Sequence, residues 1–598
     1  MNQAVAQGLV FGTDIIFTYG PYASVITGGY HPATDHAMIG GSLLFGTCYF
    51  LSFWLLGRGR SQVWLVFPGV VLAGLMYSKD AVLFSYPLLV ALVTYRITLP
   101  DGDRLRLELS RLDRVTYLAL FCVAGFLPLI KVTLLLVSAS VAGCCFVLLW
   151  RSRQPRFMAC SALLLPPAFG ILMWVVAGQP LAGLPQYVLN SAPIISGYSE
   201  AMAVRGPSTE IWLYLGVCVA IILAVAVSGS ADVFQRVVIA LCYMLVLFVA
   251  FKNGFVRHDG HAFTAATALI LTALTLPLVL KRNPLLIGAA LTLSLFVSLS
   301  IDQDWTRLRP SDFVNNVVGT YGNAWTGVVL RSHGADRLRH DFDEANLDIA
   351  QRWPRPKIDG TADLYSNHQT ILFAAGIKWS PRPVMQSYSA YTTSLAKLNE
   401  LHLRSRNAPD NIILQVESID FRYPSLDDGY SWPTIINNYT PFSQNGILVF
   451  LKKRASPHVP LPPITVLSRE AALGDEVVVP DSKEPLFAEI GVLPTFAGRI
   501  LSFLYKPPLL EISVHLADGG RRTFRLISGM ASAGFFLTPL VETNSDFIWL
   551  GAASHTAGAN KVVKSFTVSV AGGDSLCWKR SYSVRLTRPD LLRDTSVQ

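Results

Sequence analysis

A chain of 598 residues that is 52% hydrophobic and only 15% charged, with a mean hydropathy of +0.42, is too apolar for an ordinary water-soluble protein. Its net charge of +9 does not argue for a nucleic-acid partner, because much of the excess lies in short loops between apolar runs, where orientation in a bilayer explains it. Of the eight cysteines only Cys577 lies outside the apolar half, and there is no CxxC pair, so neither a disulfide framework nor a zinc site is expected.

Met1–Leu9 lacks the basic end and apolar core of a cleavable signal peptide, so the first true span is expected to do the targeting. Residues 1–35 read as an external loop. It opens with a short interfacial helix around Ala4, Leu9 and Val10, and continues through Gly12–Asp35, which carries Asp14, His31, Asp35 and several tyrosines but no Lys or Arg. Apolar segments follow at 36–57, 63–78, 81–98, 116–130, 132–150, 157–177, 211–229, 237–251, 263–280 and 284–301. Several fall short of the roughly 20 residues a perpendicular span needs, which predicts partly buried helices or half-membrane hairpins among them. The run 116–150 is split at Gly125–Lys131, where a proline and a lysine interrupt it.

After Asp302 the pattern changes. Residues 302–452 mix amphipathic helix (Asp312–Val318, Ala335–Arg352) with short apolar strands (Thr370–Phe373, Ile412–Val416, Gly446–Leu451), which predicts an α/β or α+β module. Over 453–598 short strands recur between Gly, Pro and Asn: Glu476–Val479, Leu486–Ile490, Leu510–Leu516, Arg522–Ile527, Ser565–Val570 and Ser581–Leu586. That rhythm predicts a β-sandwich-like module. The expected fold is thus a polytopic α-helical membrane domain of about ten spans over 36–301, then an extracytoplasmic α/β module and the β-rich module.

Counting each apolar segment as one span puts Arg58, Arg60, Arg96, Arg104, Arg106, Arg111, Arg114, Arg151, Arg153, Arg156, Arg236, Lys281 and Arg282 on one side. The other side receives only Lys79, Arg205, Lys252 and Arg257, with Lys131 near its boundary. The basic side is then cytoplasmic. Gly12–Asp35, Lys79-Asp80, the loop 178–210, Lys252–His261 and all of 302–598 emerge on the opposite face of a cell (inner) membrane.

The stretch Phe251–His261 packs one lysine, one arginine, one aspartate and two histidines between two apolar segments. Such a cluster is costly near lipid and marks a candidate site, against the plain alternative of a solvated turn. No Gly-rich phosphate loop, zinc spacing or Ser-His-Asp set is present, which argues against a soluble nucleotide-sugar donor.

The first loop reads Gly12-Thr13-Asp14-Ile15-Ile16-Phe17-Thr18-Tyr19-Gly20-Pro21-Tyr22. Here, and in the layout of the membrane half, the chain resembles the GT-C fold superfamily of glycosyltransferases, which move a sugar from a polyprenyl-phosphate carrier onto an acceptor. In those families the first external loop carries an acidic residue and runs through a short interfacial helix into aromatic, Gly- and Pro-rich turns. A first span with the key acidic residue precedes, in those families, the stretch that opens here at Met1, so the resemblance implies either a sequence truncated at its start or a degenerate member without that span. The β-rich module is similar to the carbohydrate-binding-like domains that some of these enzymes carry.

The resemblance implies an inverting transfer in which a carboxylate takes the proton of an acceptor hydroxyl, with Asp14 the first candidate and Asp35 the second. Cationic groups would hold the leaving lipid phosphate, for which Lys252 and Arg257 with His258 and His261 lie on the correct face, and Asp259 among them is a further substrate-binding candidate. Tyr19, Tyr22, Tyr198 and Glu200 are candidates for binding sugar. The expected partners are the lipid bilayer, a polyprenyl-phosphate-linked sugar and a glycan acceptor; the cofactor is open, with a divalent cation among the candidates. Plainer roles compete: Asp14 as a helix cap, Tyr19-Gly20-Pro21 as an interfacial turn, and 178–210 as an amphipathic helix. The aromatic stretch Trp379–Thr392, followed by Asp427-Asp428, is either a glycan-facing surface or a proline-rigidified packed loop. Two rival functions stand beside sugar transfer: a transporter or flippase of envelope glycan precursors, and a non-catalytic glycan-binding envelope protein.

Overall fold

The computed structural model describes residues 1–598 apart from 59–62, 76–78, 229–231, 281–282, 306, 354, 457, 553–559, 574 and 593–598. Arg60, Lys281 and Arg282 of the basic-loop count, and the end of the segment 63–78, lie outside the described residues. The chain forms two compact units. One is Met1–Gly8, Thr18–Leu181 and Val204–His340; the other is Leu9–Phe17, Ala182–Ala203 and Asp341–Gln598.

In the first unit eight described helices are long and apolar enough to cross a membrane: Asp35–Leu56, Lys79–Thr98, Arg111–Ile130, Leu134–Arg151, Arg156–Val176, Ser208–Val227, Val233–Val256 and Pro284–Trp305. This is the architecture of a multi-pass membrane protein. The two remaining apolar segments form shorter helices, Val63–Gly74 and Ala262–Thr275, the latter ending in a 3-10 turn at Leu276–Leu278 that contains Pro277. Lys79–Thr98 is the hub. Every residue from Leu83 to Thr98 is buried, most of them apolar, as a helix enclosed on all sides by its neighbours must be.

Hydroxyl pairs tie the hub to its neighbours: Tyr49 with Ser85, and Thr94 with Tyr117, both at 2.7 Å. The run 116–150 breaks at Lys131–Thr133, one turn beyond Pro128. Small residues let helices approach closely. A Cβ on Gly125 would stand 1.8 Å from the Pro166 carbonyl oxygen, so only glycine fits where Arg111–Ile130 crosses Arg156–Val176.

In the second unit a five-stranded sheet has the order β2-β1-β3-β5-β4, with β1 Thr361–Tyr365, β2 Lys378–Trp379, β3 Asn411–Leu414, β4 Tyr439–Asn445 and β5 Leu448–Lys453. β1 runs parallel to β2 and β3, while β5 pairs antiparallel with β3 and β4. Eight further strands follow: β6 Ile464–Ala472, β7 Glu476–Val478, β8 Leu486–Gly491, β9 Leu510–Leu516, β10 Arg521–Leu526, β11 Phe535–Thr538, β12 Val563–Val570 and β13 Ser581–Arg588. They form two antiparallel sheets, β10-β9-β12-β7 and β11-β8-β13-β6. Ile512, Val514 and Phe566 from one sheet share a core with Ile490, Val584 and Leu586 from the other.

The expected strand at Thr370–Phe373 is instead a helix, Thr370–Ala374. Four apolar residues carry no periodicity that separates a strand from one helical turn. Leu184–Ala201 in the loop 178–210 is a helix whose Ile194 and Ala201 enter the core of this same unit. The Leu9–Phe17 segment lies against it. Gly12, at φ +90°, has Tyr187 Cα 2.3 Å from where a Cβ would be, and its carbonyl accepts the Asn190 amide at 2.8 Å.

Candidate functional site

Within the helical unit, three span ends bring together a charged cluster. Asp80 opens Lys79–Thr98, Lys131 follows Arg111–Ile130, and Asn253 lies in the last turn of Val233–Val256. Lys131 Nζ donates to Asp80 Oδ2 at 2.6 Å, and Asn253 Nδ2 reaches the same oxygen at 3.4 Å. The side chains of Lys131 and Asp80 are 7% and 18% exposed, so the pair is largely desolvated and each charge depends on the other.

The Tyr19 backbone bridges to Lys131, and the ammonium lies 5.6 Å from the Tyr19 ring centroid and 5.8 Å from that of Phe84. Burial pushes the Tyr19 hydroxyl pKa up, partly opposed by Lys131. Among the described residues no donor reaches Asp80 Oδ1 or Asn253 Oδ1, although both atoms are buried. Both acceptors lie beside an ammonium and an aromatic ring, so the cluster's hydrogen bonding is incomplete within the described protein. Tyr19 was singled out from the sequence as a sugar-binding candidate. Asp80 and Lys131 were noted there only as residues at span ends.

The stretch Phe251–His261 divides into two parts. His258 has no exposed surface; its Nε2 lies 2.8 Å from Glu210 Oε2, and the Trp305 indole N–H donates to Glu210 Oε1 at 3.2 Å. This arrangement knots three span ends together, and Gly206 packs so closely on the imidazole that a Cβ would stand 2.4 Å from it. An imidazole so enclosed does not present a cation to a lipid phosphate, contrary to the expectation from sequence. Arg257, Asp259 and His261 remain nearer the surface. Arg257 Nε pairs with Asp259 Oδ2 at 3.0 Å, and His261 Nδ1 lies 2.5 Å from Asp259 Oδ1. Despite partial burial, the His261 bonds and the Arg257 charge bring the Asp259 carboxyl pKa down to about 2. Lys252 is partly exposed at the end of its span.

The two acidic candidates belong to different units. Asp14, in the second, is exposed, and its Oδ2 accepts the Val10 N–H at 2.9 Å, closing a turn. Asp35, in the first, opens Asp35–Leu56 and takes a two-pronged ion pair from Arg331, at 2.8 and 2.6 Å; the shared hydrogen bond raises the guanidinium pKa. Tyr22 donates to the Met173 carbonyl at 2.9 Å and packs edge-on against Phe126. In the second unit Tyr198 packs on the core. Glu200 accepts the Ser528 N–H and hydroxyl at 2.5 and 2.7 Å, and burial nonetheless raises its carboxyl pKa. These bonds make Glu200 a helix tie rather than a surface ligand for sugar.

Trp379–Thr392 is a packed loop. Arg382 is wholly buried, donating to Asp363 at 2.7 Å, with Asp428 at 3.1 Å and the Tyr365 ring centroid at 3.8 Å. Two carboxylates share one guanidinium, and burial pushes the Asp428 carboxyl pKa up to about 7. Among the described residues no group of three or more His, Cys, Asp or Glu side chains converges as a metal site would require. Comparison with models of known protein families gives no match. Comparison with the curated proteins likewise gives none.

Proposed function

We propose that the chain is an integral membrane glycosyltransferase-like protein that transfers a sugar from a lipid-phosphate carrier to an extracytoplasmic glycan or lipid acceptor. The observation that carries this reading is the Asp80–Lys131–Asn253 cluster beside Tyr19: a buried carboxylate with one unengaged oxygen, at the mouth of three spans, next to a cation and an aromatic ring. In this reading Asp80, rather than Asp14, receives the proton of the acceptor hydroxyl. The acceptor oxygen bonds to the anomeric carbon as the carbon–oxygen bond to the lipid phosphate breaks, and the phosphate leaves with the electron pair. Lys252 and Arg257 are the cations proposed to meet that phosphate.

Topology supports ten spans. The second unit is compact and contains none of the eight long apolar helices, which supports Leu9–Phe17, Ala182–Ala203 and Asp341–Gln598 sharing one side of the bilayer. Five long helices separate the first two stretches and three separate the last two. Both numbers are odd, and the short helices Val63–Gly74 and Ala262–Thr275, one in each interval, make them even. The positive-inside bias supports that shared side lying outside the cytoplasm of a cell (inner) membrane. The two antiparallel sheets of the C-terminal half are the proposed glycan-binding element.

The test uses proteoliposomes carrying the full chain, supplied with a panel of radiolabelled polyprenyl-phosphate monosaccharides. Transfer or hydrolysis that survives Asp14→Asn and is lost in Asp80→Asn supports the assignment. Unchanged turnover in Asp80→Asn refutes it. A transporter is the second reading, favoured by the same desolvated ion pair, since paired charges between spans also mark substrate paths. Passage of the intact lipid-linked sugar across the bilayer, with no bond cleaved, would identify it.

A further inference from the structure

Beyond the last span, the helix Pro310–Ser332 has 23 residues and buries none of them. Val314, Val318, Tyr321, Trp325 and Val328 are between 55% and 70% exposed. Their spacing of four, three, four and three puts all five on one narrow stripe. Asp312, Asn315, Asn323 and Thr326 lie away from that stripe. The helix also touches the rest of the unit: Asn316 Nδ2 donates to the Gly74 carbonyl at 3.2 Å, the Tyr321 hydroxyl reaches from the stripe to donate to the Gly69 carbonyl at 3.1 Å, and Arg331 pairs with Asp35 at 2.6 Å.

We propose that this helix lies in the plane of the membrane surface, with the Val314–Val328 stripe seated in the lipid headgroup and acyl boundary. The tethers at its two ends argue for this occupant. Pro310 follows Trp305, the last residue of the span Pro284–Trp305, by only five positions. At the other end Arg331 is held by Asp35, the first residue of the span Asp35–Leu56. With eight crossings or with ten, the count from the start of the first span to the end of the last is even, so both tethers lie on one face of the bilayer. A helix of about 34 Å pinned at that level at both ends runs along the interface rather than away from it.

Tyr321 and Trp325 sit mid-stripe, where an apolar ring with a polar edge suits the headgroup layer. The helix has one acidic residue in its first turn and one basic residue in its last, so the apolar stripe rather than net charge holds it there. The inference does not depend on sugar transfer and applies equally to a transporter.

The test labels the full-length wild-type chain in phosphatidylcholine proteoliposomes with a diazirine-bearing acyl-chain phosphatidylcholine, and separately with hydroxyl radicals from the aqueous phase. Because Arg309 precedes Pro310, trypsin releases the helix in one peptide, Leu308–Arg331, and the span peptides serve as the positive control for lipid labelling. Lipid adducts at Val314, Val318, Tyr321, Trp325 or Val328, several-fold denser than at Asn315, Asn323 or Thr326, are expected. The radical pattern should be the inverse. Oxidation of Tyr321 and Trp325 with no lipid adduct on the stripe overturns the proposal in favour of a solvated helix. Protection of the stripe from both reagents overturns it in favour of a protein partner or a second copy.

Discussion

Replacing Lys131 by Met removes the only described ammonium that faces Asp80 and leaves a carboxylate 18% exposed between span ends. Breaking a largely buried pair from one side costs about 3–5 kcal/mol, because the surviving charge keeps its desolvation penalty and loses its partner. Asp80→Asn strands the ammonium in the same way, although the Tyr19 and Phe84 rings recover about 1 kcal/mol of it. The double variant D80N/K131M strands neither charge, so it should recover most of the loss, with a coupling energy of about 3 kcal/mol. The assay is denaturation of the full chain in detergent micelles, run for all four members of the cycle, with sugar transfer measured on the same preparations. The expected outcome separates structure from chemistry: the double variant regains stability and stays inactive. Additive losses with no coupling would show that the two groups do not interact, and activity in the recovered double variant would remove Asp80 from the proposed reaction.

The raised Asp428 carboxyl, near pH 7 because burial outweighs the shared Arg382, makes stability depend on pH. A carboxyl whose pKa is higher folded than unfolded holds its extra proton in the folded state, so stability is greatest below the unfolded value and is lost as pH rises toward 7. Between pH 5 and pH 8 the loss amounts to about 3 kcal/mol. Asp428→Asn, which tolerates the same positive φ, should abolish that loss when hydrogen exchange of the β3 amides is compared at the two pH values; an unchanged dependence would refute the assignment. Gly125→Ala should cost about 1–3 kcal/mol or more, because the new methyl meets the backbone oxygen of Pro166; an unchanged melting midpoint would contradict the close helix crossing. Glu210→Gln removes the charge facing the enclosed His258 but keeps an oxygen for Trp305, and should cost about 1–3 kcal/mol in the same denaturation assay without changing the substrate KM. A raised KM would return His258 to the binding site.

The helices of the first unit were legible because each is a long uncharged run, and the break at Lys131–Thr133 because a proline and a lysine interrupt one. Strands with alternating burial, such as β12 and β13, were legible too. The strand β6 was missed because most of its residues are exposed along a sheet edge, which leaves no two-residue hydrophobic rhythm to read. Thr370–Ala374 was misread because one turn of helix and one short strand look alike in an apolar run.

The site was legible as an inventory and not as a pairing. Asp80 and Lys131 stand 51 residues apart, and Glu210 and His258 stand 48 apart, so no local pattern says which acid answers which base. A low-dielectric setting makes that matching the deciding step: an ionisable group among spans must find a counter-charge, and a group fully matched within the protein has little left to offer a ligand. His258 is tied to Glu210 through Nε2, its Nδ1 lying buried without a partner among the described residues, and Asp35 is matched by Arg331, which is why two chemically attractive residues become structural ties. What marks the Asp80 cluster is a carboxylate oxygen, together with an amide oxygen, buried and unanswered among the described residues beside an ammonium. Leaving such acceptors unpaired costs about 1–3 kcal/mol each, and a bound molecule with hydroxyl donors would return that cost as affinity at the place where the proposed chemistry needs its acceptor held.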